Sequence, residues 1–276
     1  MLNNIYGSFG RARVIIAAAA LMACCALQAV AQVGEQRSEL RVGVVAGGVG
    51  NTVDFDPTIR QNMHIGPTLG VGLKYICEKY YSALCALEVQ LNYAETGWKE
   101  DILSASGAKL PDTYSRNMHY LQIPMFADLG WGKESGFMFH FKAGPQVGYC
   151  FADKGEKSSQ WTLNSEGNPD RPNNMYRQYD MDIDHAIDYG IIAGVGMELN
   201  TKRAGHYTFD VQYYYGLGDI FGNSKKDVFS RSANQSIYVK LGYFITLKKT
   251  KKRRPERVLN ASRNDALLTS VIIQWR

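Results

Sequence analysis

From Ile65 to Cys77 apolar residues alternate with small or polar ones, which is the side-chain period of a β-strand. The same alternation resumes at Ala83 and continues to Tyr93, after a break at Glu78–Ser82. Two alternating arms joined by about five residues predict a β-hairpin. Both arms are longer than the usual strand of about five or six residues, so the hairpin is predicted to be a long one.

The alternation recurs along the chain and predicts eight strands. They lie at about Leu40–Gly48, Ile65–Cys77, Ala83–Tyr93, Asn117–Gly130, Gly136–Phe151, Ala186–Asn200, His206–Leu217 and Ser236–Leu247. Four connections are long and polar: Val49–Met63, Thr96–Arg116, Ala152–His185 and Gly218–Gln235. Three are short: Glu78–Ser82, Trp131–Ser135 and Thr201–Gly205. This rhythm predicts an all-β, eight-stranded antiparallel up-and-down transmembrane β-barrel, with extracellular long loops and periplasmic short turns.

The polar face of the predicted strands decides between a membrane barrel and a soluble one. It carries charged residues of both signs, spread over all eight strands: Arg41, Lys74, Glu88, Asp128, Lys142, Glu198, Asp210 and Lys240. A soluble lipocalin-like barrel would turn its apolar face inward. Small residues and balanced charges instead suit a narrow lumen filled by ion pairs, with Lys74 and Glu88 as candidate partners. An outward apolar face would aggregate in water but is satisfied in lipid, so the membrane barrel is favoured.

Aromatic residues gather near both ends of the predicted strands. At the short-turn end they are Tyr80, Tyr81, Trp131, Phe137 and Tyr207, and at the long-loop end Tyr93, Trp98, Tyr149, Phe151, Tyr215 and Phe221. Two bands predict interfacial girdles, with ordinary strand enrichment in aromatics as the alternative. Pro67, Pro124 and Pro145 lie inside predicted strands, where proline removes a ladder hydrogen bond, and they indicate bulges or rim positions.

The N-terminus has the pattern of a secretory signal peptide, residues 1–31. Arg11 and Arg13 precede an apolar run, and Ala29-Val30-Ala31 is a small-x-small cleavage site. A lipoprotein signal with Cys24 as its modified residue is the alternative. Either signal predicts export, and we expect the cell outer membrane as the destination.

The remaining chain divides into a barrel domain, residues 32–247, and a basic C-terminal tail, residues 248–276. The barrel domain holds 20 basic and 24 acidic residues, so the overall charge of +5 comes from the two ends of the chain. An acidic body argues against nucleic-acid binding. The tail is either a solvated stop after the last strand or a contact to anionic lipid or cell-wall material, and its last residues could form a ninth strand, a short helix or a loose extension.

Cysteines and histidines offer few candidates for chemistry. Cys77 and Cys85 flank the first turn, where they could form a disulfide or serve as small apolar residues at the rim. The five histidines are His64, His119, His140, His185 and His206. No Ser–His–acid group converges at one rim, and His140 beside Lys142 is interpreted as part of a lumen network. We therefore predict no enzymatic activity and no catalytic or cofactor-binding residues.

One acidic run is a candidate metal site. Asp180, Asp182 and Asp184 share a face, and their carboxylates could hold Ca²⁺. The run lacks the glycine and the distal glutamate of an EF-hand loop, so a solvated acidic strand extension is the alternative, and no metal ligand is predicted.

Four segments resemble the PorT-like outer-membrane β-barrel family. They are Ile65–Leu73, Tyr120-Leu-Gln-Ile-Pro-Met-Phe126, Lys142-Ala-Gly-Pro-Gln-Val-Gly-Tyr149 and Gly194–Glu198. The resemblance implies an eight-stranded outer-membrane barrel, in a family with one member implicated in protein secretion. We expect a structural or interaction role in the cell envelope, as a monomeric barrel among outer-membrane lipids, with envelope or secretion proteins as candidate partners. A narrow pore and a rim-active enzyme are the alternatives.

Overall fold

The computed structural model describes residues 35–172, 176–201, 204–223 and 227–251, and in them the chain forms eight strands. Their bounds are β1 Glu35–Asp56, β2 Gln61–Tyr80, β3 Ala83–Glu100, β4 Tyr114–Gly132, β5 Phe137–Lys157, β6 Ile187–Asn200, β7 His206–Asp219 and β8 Arg231–Lys251. A short 3-10 helix, Arg177–Asp180, lies in the loop before β6. The signal peptide prediction and most of the predicted tail fall outside the described residues.

The strands close into a barrel in sequence order, each antiparallel to its neighbours. Closure is made by β1 and β8, which pair from Arg37↔Lys251 to Asp56↔Arg231. The predicted fold class, an all-β eight-stranded antiparallel barrel, is confirmed. Among the described residues no helix has the length and apolar character needed to cross a membrane.

Several strands are longer than the alternation predicted, and most of the extra length lies toward the long loops. Four residues, 57–60, join β1 to β2, so the predicted long loop Val49–Met63 is mostly strand. The other long connections span 101–113, 158–186 and 220–230. Strand β8 also continues four residues past Leu247, into the predicted tail. The predicted strands end where the apolar residues stop alternating. In the structure, the hydrogen bonds between strands continue beyond those points, where the outward residues are polar.

The two faces separate as the alternation predicted. The outward face carries exposed apolar side chains on every strand, for example Leu69 at 60% and Phe139 at 62%. The eight charged residues predicted for the lumen are all buried. An apolar exterior around a polar interior is the arrangement of a membrane barrel and the reverse of a lipocalin.

The pairing of β2 with β3 is irregular near Cys77 and near Pro67. Cys77 and Cys85 are free thiols, because a register shift between Ile76 and Glu78 leaves Glu78 opposite Cys85. The alternative of a disulfide between Cys77 and Cys85 is therefore not found in this structure. A second shift, between Met63 and Thr68, includes Pro67, as expected for a bulge.

Candidate functional site

The lower half of the lumen, toward the short turns, is filled by ion pairs. Lys74 Nζ lies 2.7 Å from Asp128 Oδ2 and 2.7 Å from Glu198 Oε2. Arg41 Nη1 contacts the other oxygen of Glu198 at 2.6 Å. Glu88 stands opposite Lys74 in the β2–β3 ladder, but its ion pair is with Lys142, at 2.9 Å. The predicted Lys74–Glu88 ion pair is therefore wrong, because the lysine reaches β4 and β6 instead of its ladder partner.

His140 belongs to this network, as its position beside Lys142 predicted. Its Nε2 lies 3.0 Å from Asp210 Oδ1, and Lys142 Nζ is 3.3 Å from Asp210 Oδ2. The geometry requires a glycine on β6: a Cβ on Gly196 would lie 2.3 Å from His140 Nε2 and 2.4 Å from Asp210 Oδ1. Inward glycines thus make room for long polar side chains from the neighbouring strands.

Above the ion pairs the lumen is filled by tyrosines and amides. The Tyr238 hydroxyl donates to Gln122 Oε1 at 3.0 Å, and the Tyr214 hydroxyl donates to Asp188 Oδ1 at 2.9 Å. Asn234 Nδ2 also donates to Asp188, at 3.1 Å. These side chains are buried, so they pack the lumen at this level of the barrel.

An aromatic cluster closes the lumen at the long-loop end. Its buried members are Val53, Phe55, Trp98, Ile102, Tyr114, Met118, Tyr120, Cys150, Ile220, Phe221 and Phe229. The rings of Phe55 and Trp98 meet edge to face, 5.2 Å between centroids. The Arg116 guanidinium lies 5.9 Å from the Trp98 ring and 5.6 Å from the Phe221 ring. Strand ends and loops 101–113 and 220–230 all contribute, so the cluster ties the loops to the barrel.

This cluster corrects part of the girdle prediction. Trp98 and Phe221 are both fully buried, so neither lies in a band facing lipid. Trp98 shares the inward parity of Asn92, and extending the alternation beyond Tyr93 would have shown it. Of the other members predicted for the long-loop end, Tyr149, Phe151 and Tyr215 are exposed on the outer face as expected, and Tyr93 is half-buried.

A polar chain lies over the aromatic cluster and joins two long loops. The Tyr179 hydroxyl donates to Glu100 Oε2 at 2.9 Å, and Arg171 Nε donates to the Tyr179 oxygen at 2.9 Å. Arg171 Nη2 contacts Asp112 Oδ2 at 2.9 Å. Burial beside the Glu100 carboxylate raises the pKa of the Tyr179 phenol, so this hydroxyl keeps its proton and remains a donor. We call the loop residues that lie over the aromatic cluster, including Asp112, Arg171 and Tyr179, the cap.

The cap contains a cleft of about 140 Å³, open to solvent, which we call the cap cleft. Its apolar walls are formed by Pro57, Ile59, Ile102, Leu103 and Pro172. Its polar lining includes Glu100, Arg171, Gln178 and Tyr179, with Arg60 and Asp101 at the edge. Sequence reasoning missed this cleft because its walls come from three separate connections, none of which has a motif of its own.

The remaining histidines are dispersed. His119 lies on the outer face and hydrogen-bonds the Tyr93 hydroxyl through Nδ1 at 2.9 Å. His64 Nε2 is 3.6 Å from Glu95, and His185 is exposed in its loop. His206 is buried at the short-turn end, where Nε2 lies 2.9 Å from Thr246 Oγ1. The described histidines therefore form no shared site with a nucleophile.

The acidic run in the third long loop is dispersed as well. Asp180 pairs with Lys157 at 3.1 Å, and Asp184 accepts a hydrogen bond from the backbone N–H of Gly222 at 2.8 Å. Within the ranges that the structure describes, no three His, Cys, Asp or Glu side chains are grouped so as to hold a metal ion.

Comparison with protein families identifies the chain. The model of the outer membrane protein β-barrel domain matches residues 30–222, which is well over half of the sequence. The chain belongs to this outer-membrane β-barrel family. The match includes β1 to β7 and ends before β8, and family membership implies residence in the outer membrane. No curated protein matches the sequence significantly.

Solved structures similar to this outer-membrane barrel include three small membrane proteins. Ail, the attachment invasion locus protein of Yersinia pestis, is 12% identical with a TM-score of 0.33, over 76% of this chain and 99% of Ail. Neisserial surface protein A is 10% identical with a TM-score of 0.38, over 77% of this chain and 100% of that one. OprG from Pseudomonas aeruginosa is 12% identical with a TM-score of 0.36, over 78% and 98%.

Proposed function

We propose that this protein is a non-enzymatic binding protein of the outer membrane, which presents its cap to the exterior and does not conduct solutes. The observation that carries this proposal is the aromatic cluster across the long-loop end of the lumen, with Trp98, Phe221 and Phe229 fully buried in it. A barrel sealed by packed rings above a filled lumen has no path for diffusion. What it offers at that end is a defined, folded surface.

The orientation and the route of export belong to the same proposal. Long loops face outward in membrane barrels of this kind, so the cap would lie at the cell surface and the short turns in the periplasm. Residues 1–31 would act as the export signal, and the barrel would work as a monomer among outer-membrane lipids, without a cofactor. The resemblance to PorT-like barrels supports an envelope role, including a link to protein secretion, with envelope proteins as partners.

Planar-bilayer recording tests the choice between a binding surface and a pore. We expect the refolded protein to give a flat current at neutral pH across the usual range of voltages. A heat-unfolded sample, whose lack of fold is checked by its gel mobility, is the control for detergent leakage. Regular unitary current steps that appear only with the folded barrel would replace the proposal with the narrow-pore alternative.

A further inference from the structure

The cap cleft contains a buried carboxylate whose hydrogen-bond donors are all neutral. Glu100 is 7% exposed. It accepts hydrogen bonds from the Tyr179 hydroxyl at 2.9 Å, the Trp98 indole at 3.4 Å and the Gln178 amide at 3.4 Å. In the described part of the chain, no lysine, arginine or histidine nitrogen forms an ion pair with it. A buried carboxylate of this kind is stabilised strongly by an added cation.

The nearest cation is already committed to another carboxylate. Arg171 Nη2 pairs with Asp112 at 2.9 Å, and its Nη1 donates to the backbone carbonyl of Asp170 at 2.8 Å. Its guanidinium also stacks on the Trp161 ring, 4.8 Å from the centroid. Arg171 and Asp112 together are neutral, so the charge of Glu100 remains without its own counter-charge.

The shape of the cleft limits what could supply that counter-charge. Its volume of about 140 Å³ is close to that of a cavity of about 150 Å³ that accepts benzene. Pro57, Ile59 and Leu103 among its wall residues suit methylene groups. At the edge, Asp101 pairs with both Arg60 and Lys109, each at 2.9 Å, which leaves one excess positive charge. Both cationic side chains are mostly exposed, so solvent screens that charge. The apolar walls and the buried carboxylate suit a short aliphatic chain that ends in a positive charge.

We propose that the cap cleft binds a primary ammonium group on an aliphatic chain, as presented by the lysine side chain of an external peptide. An ammonium group has three donors in a compact volume and could bind the Glu100 carboxylate directly, while the methylenes contact the apolar walls. A guanidinium is planar and larger, and the cleft is expected to prefer lysine. This inference rests on the proposed function, since it names the ligand of the cap.

Calorimetric titration of the folded protein in detergent micelles tests the site with four probes. They are a short peptide whose only charged group is one lysine side chain, the same peptide with that lysine acetylated, the arginine version, and n-butylamine. We expect the lysine peptide to bind at least tenfold more tightly than the acetylated and arginine peptides. Glu100→Gln keeps the size and the acceptor oxygen but removes the charge, and should weaken lysine binding at least tenfold.

Two further variants complete the experiment. Glu166→Gln makes the same substitution at an exposed loop position outside the cleft lining and should leave binding unchanged. Ile59→Trp fills the cleft while leaving Glu100 in place, and should also abolish binding. The inference can therefore still be tested if Glu100→Gln fails to fold. Folding of each variant is checked by heat-modifiable gel mobility.

Each result supports or overturns the inference. Equal binding of the lysine and acetylated peptides, or wild-type affinity in Glu100→Gln, would overturn it. If n-butylamine binds as tightly as the peptide, the ammonium site stands but the assignment to a peptide lysine is overturned. Failure of all probes with a protein that gives flat bilayer currents would remove only this ligand class, whereas unitary currents would remove the proposed function itself.

Discussion

At the scale of single residues, Lys240 is a buried lumen lysine that forms no ion pair with any described residue. Its Nζ is buried, makes no hydrogen bond to any described group, and lies 4.6 Å from the centroid of the Tyr238 ring. An unsatisfied buried polar group costs about 1–3 kcal/mol, and a methionine of similar length has no such cost. We therefore expect Lys240→Met to raise the free energy of unfolding in detergent by about 1 kcal/mol or more, measured by urea titration.

Lys142 provides the matched control for that substitution. It is equally buried, but it forms ion pairs with Glu88 and Asp210. Removing one partner of a buried ion pair leaves the other charge unpaired and costs about 3–5 kcal/mol. Lys142→Met should therefore destabilise the barrel. A loss of stability in Lys240→Met comparable with that in Lys142→Met would mean that the Lys240 ammonium is stabilised by its surroundings, and the prediction would fail.

At the scale of elements, Glu134 in the turn between β4 and β5 forms ion pairs with residues of two other strands. Arg37 of β1 donates to one carboxylate oxygen, and Lys79 of β2 contacts the other at 2.9 Å. These partners, the Arg37 hydrogen bond first, lower the pKa of Glu134 from 4.5 to about 2. A lowered carboxyl pKa stabilises the fold above the unfolded pKa, and that stabilisation is lost as the pH falls through the folded pKa.

We expect Glu134→Gln to reduce the stability of the barrel at neutral pH by less than about 1 kcal/mol, because the side chain is 37% exposed and solvent screens its ion pairs. The difference from wild type should close as the pH falls from 4.5 to about 2. Thermal unfolding across this pH range measures it, with Glu166→Gln as the control. A difference that stays constant down to the lowest pH would show that the Glu134 charge contributes nothing.

The alternation of side chains is also what made much of this fold predictable. Whether Lys142 or Asp210 points inward depends only on its position in its own strand, so the lumen residues could be read from the sequence. The partner of Lys74 could not, because it depends on how far a long side chain reaches across a closed barrel. The predicted third strand ends at Tyr93, so the prediction does not place Trp98 on the inward face where the structure has it. The cap cleft was missed because connections distant in sequence form its walls.

At the scale of the whole molecule, the barrel and the cap depend on different contacts. The barrel is closed by hydrogen bonds between neighbouring strands, including the β1–β8 seam, and its lumen is filled by side chains from those strands. The third long loop adds Trp161, Tyr179, Met181 and Ile183, which are partly buried against the outer side of the aromatic cluster. Removing this loop would expose the cluster without breaking any strand pairing.

We therefore expect a variant in which residues 160–183 are replaced by a short glycine–serine linker to fold as a barrel. It should retain heat-modifiable gel mobility and give flat bilayer currents, because the ion pairs and the tyrosine layer still fill the lumen below. Its aromatic cluster should become accessible, seen as collisional quenching of Trp98 fluorescence in a protein where Trp131 and Trp275 are replaced by phenylalanine. The linker variant has lost Trp161, so the matched reference is the full-length protein with Trp131→Phe, Trp161→Phe and Trp275→Phe. Loss of the gel shift in the linker variant would show that the cap is needed for the barrel to fold, and unchanged quenching would show that the loop does not cover the cluster.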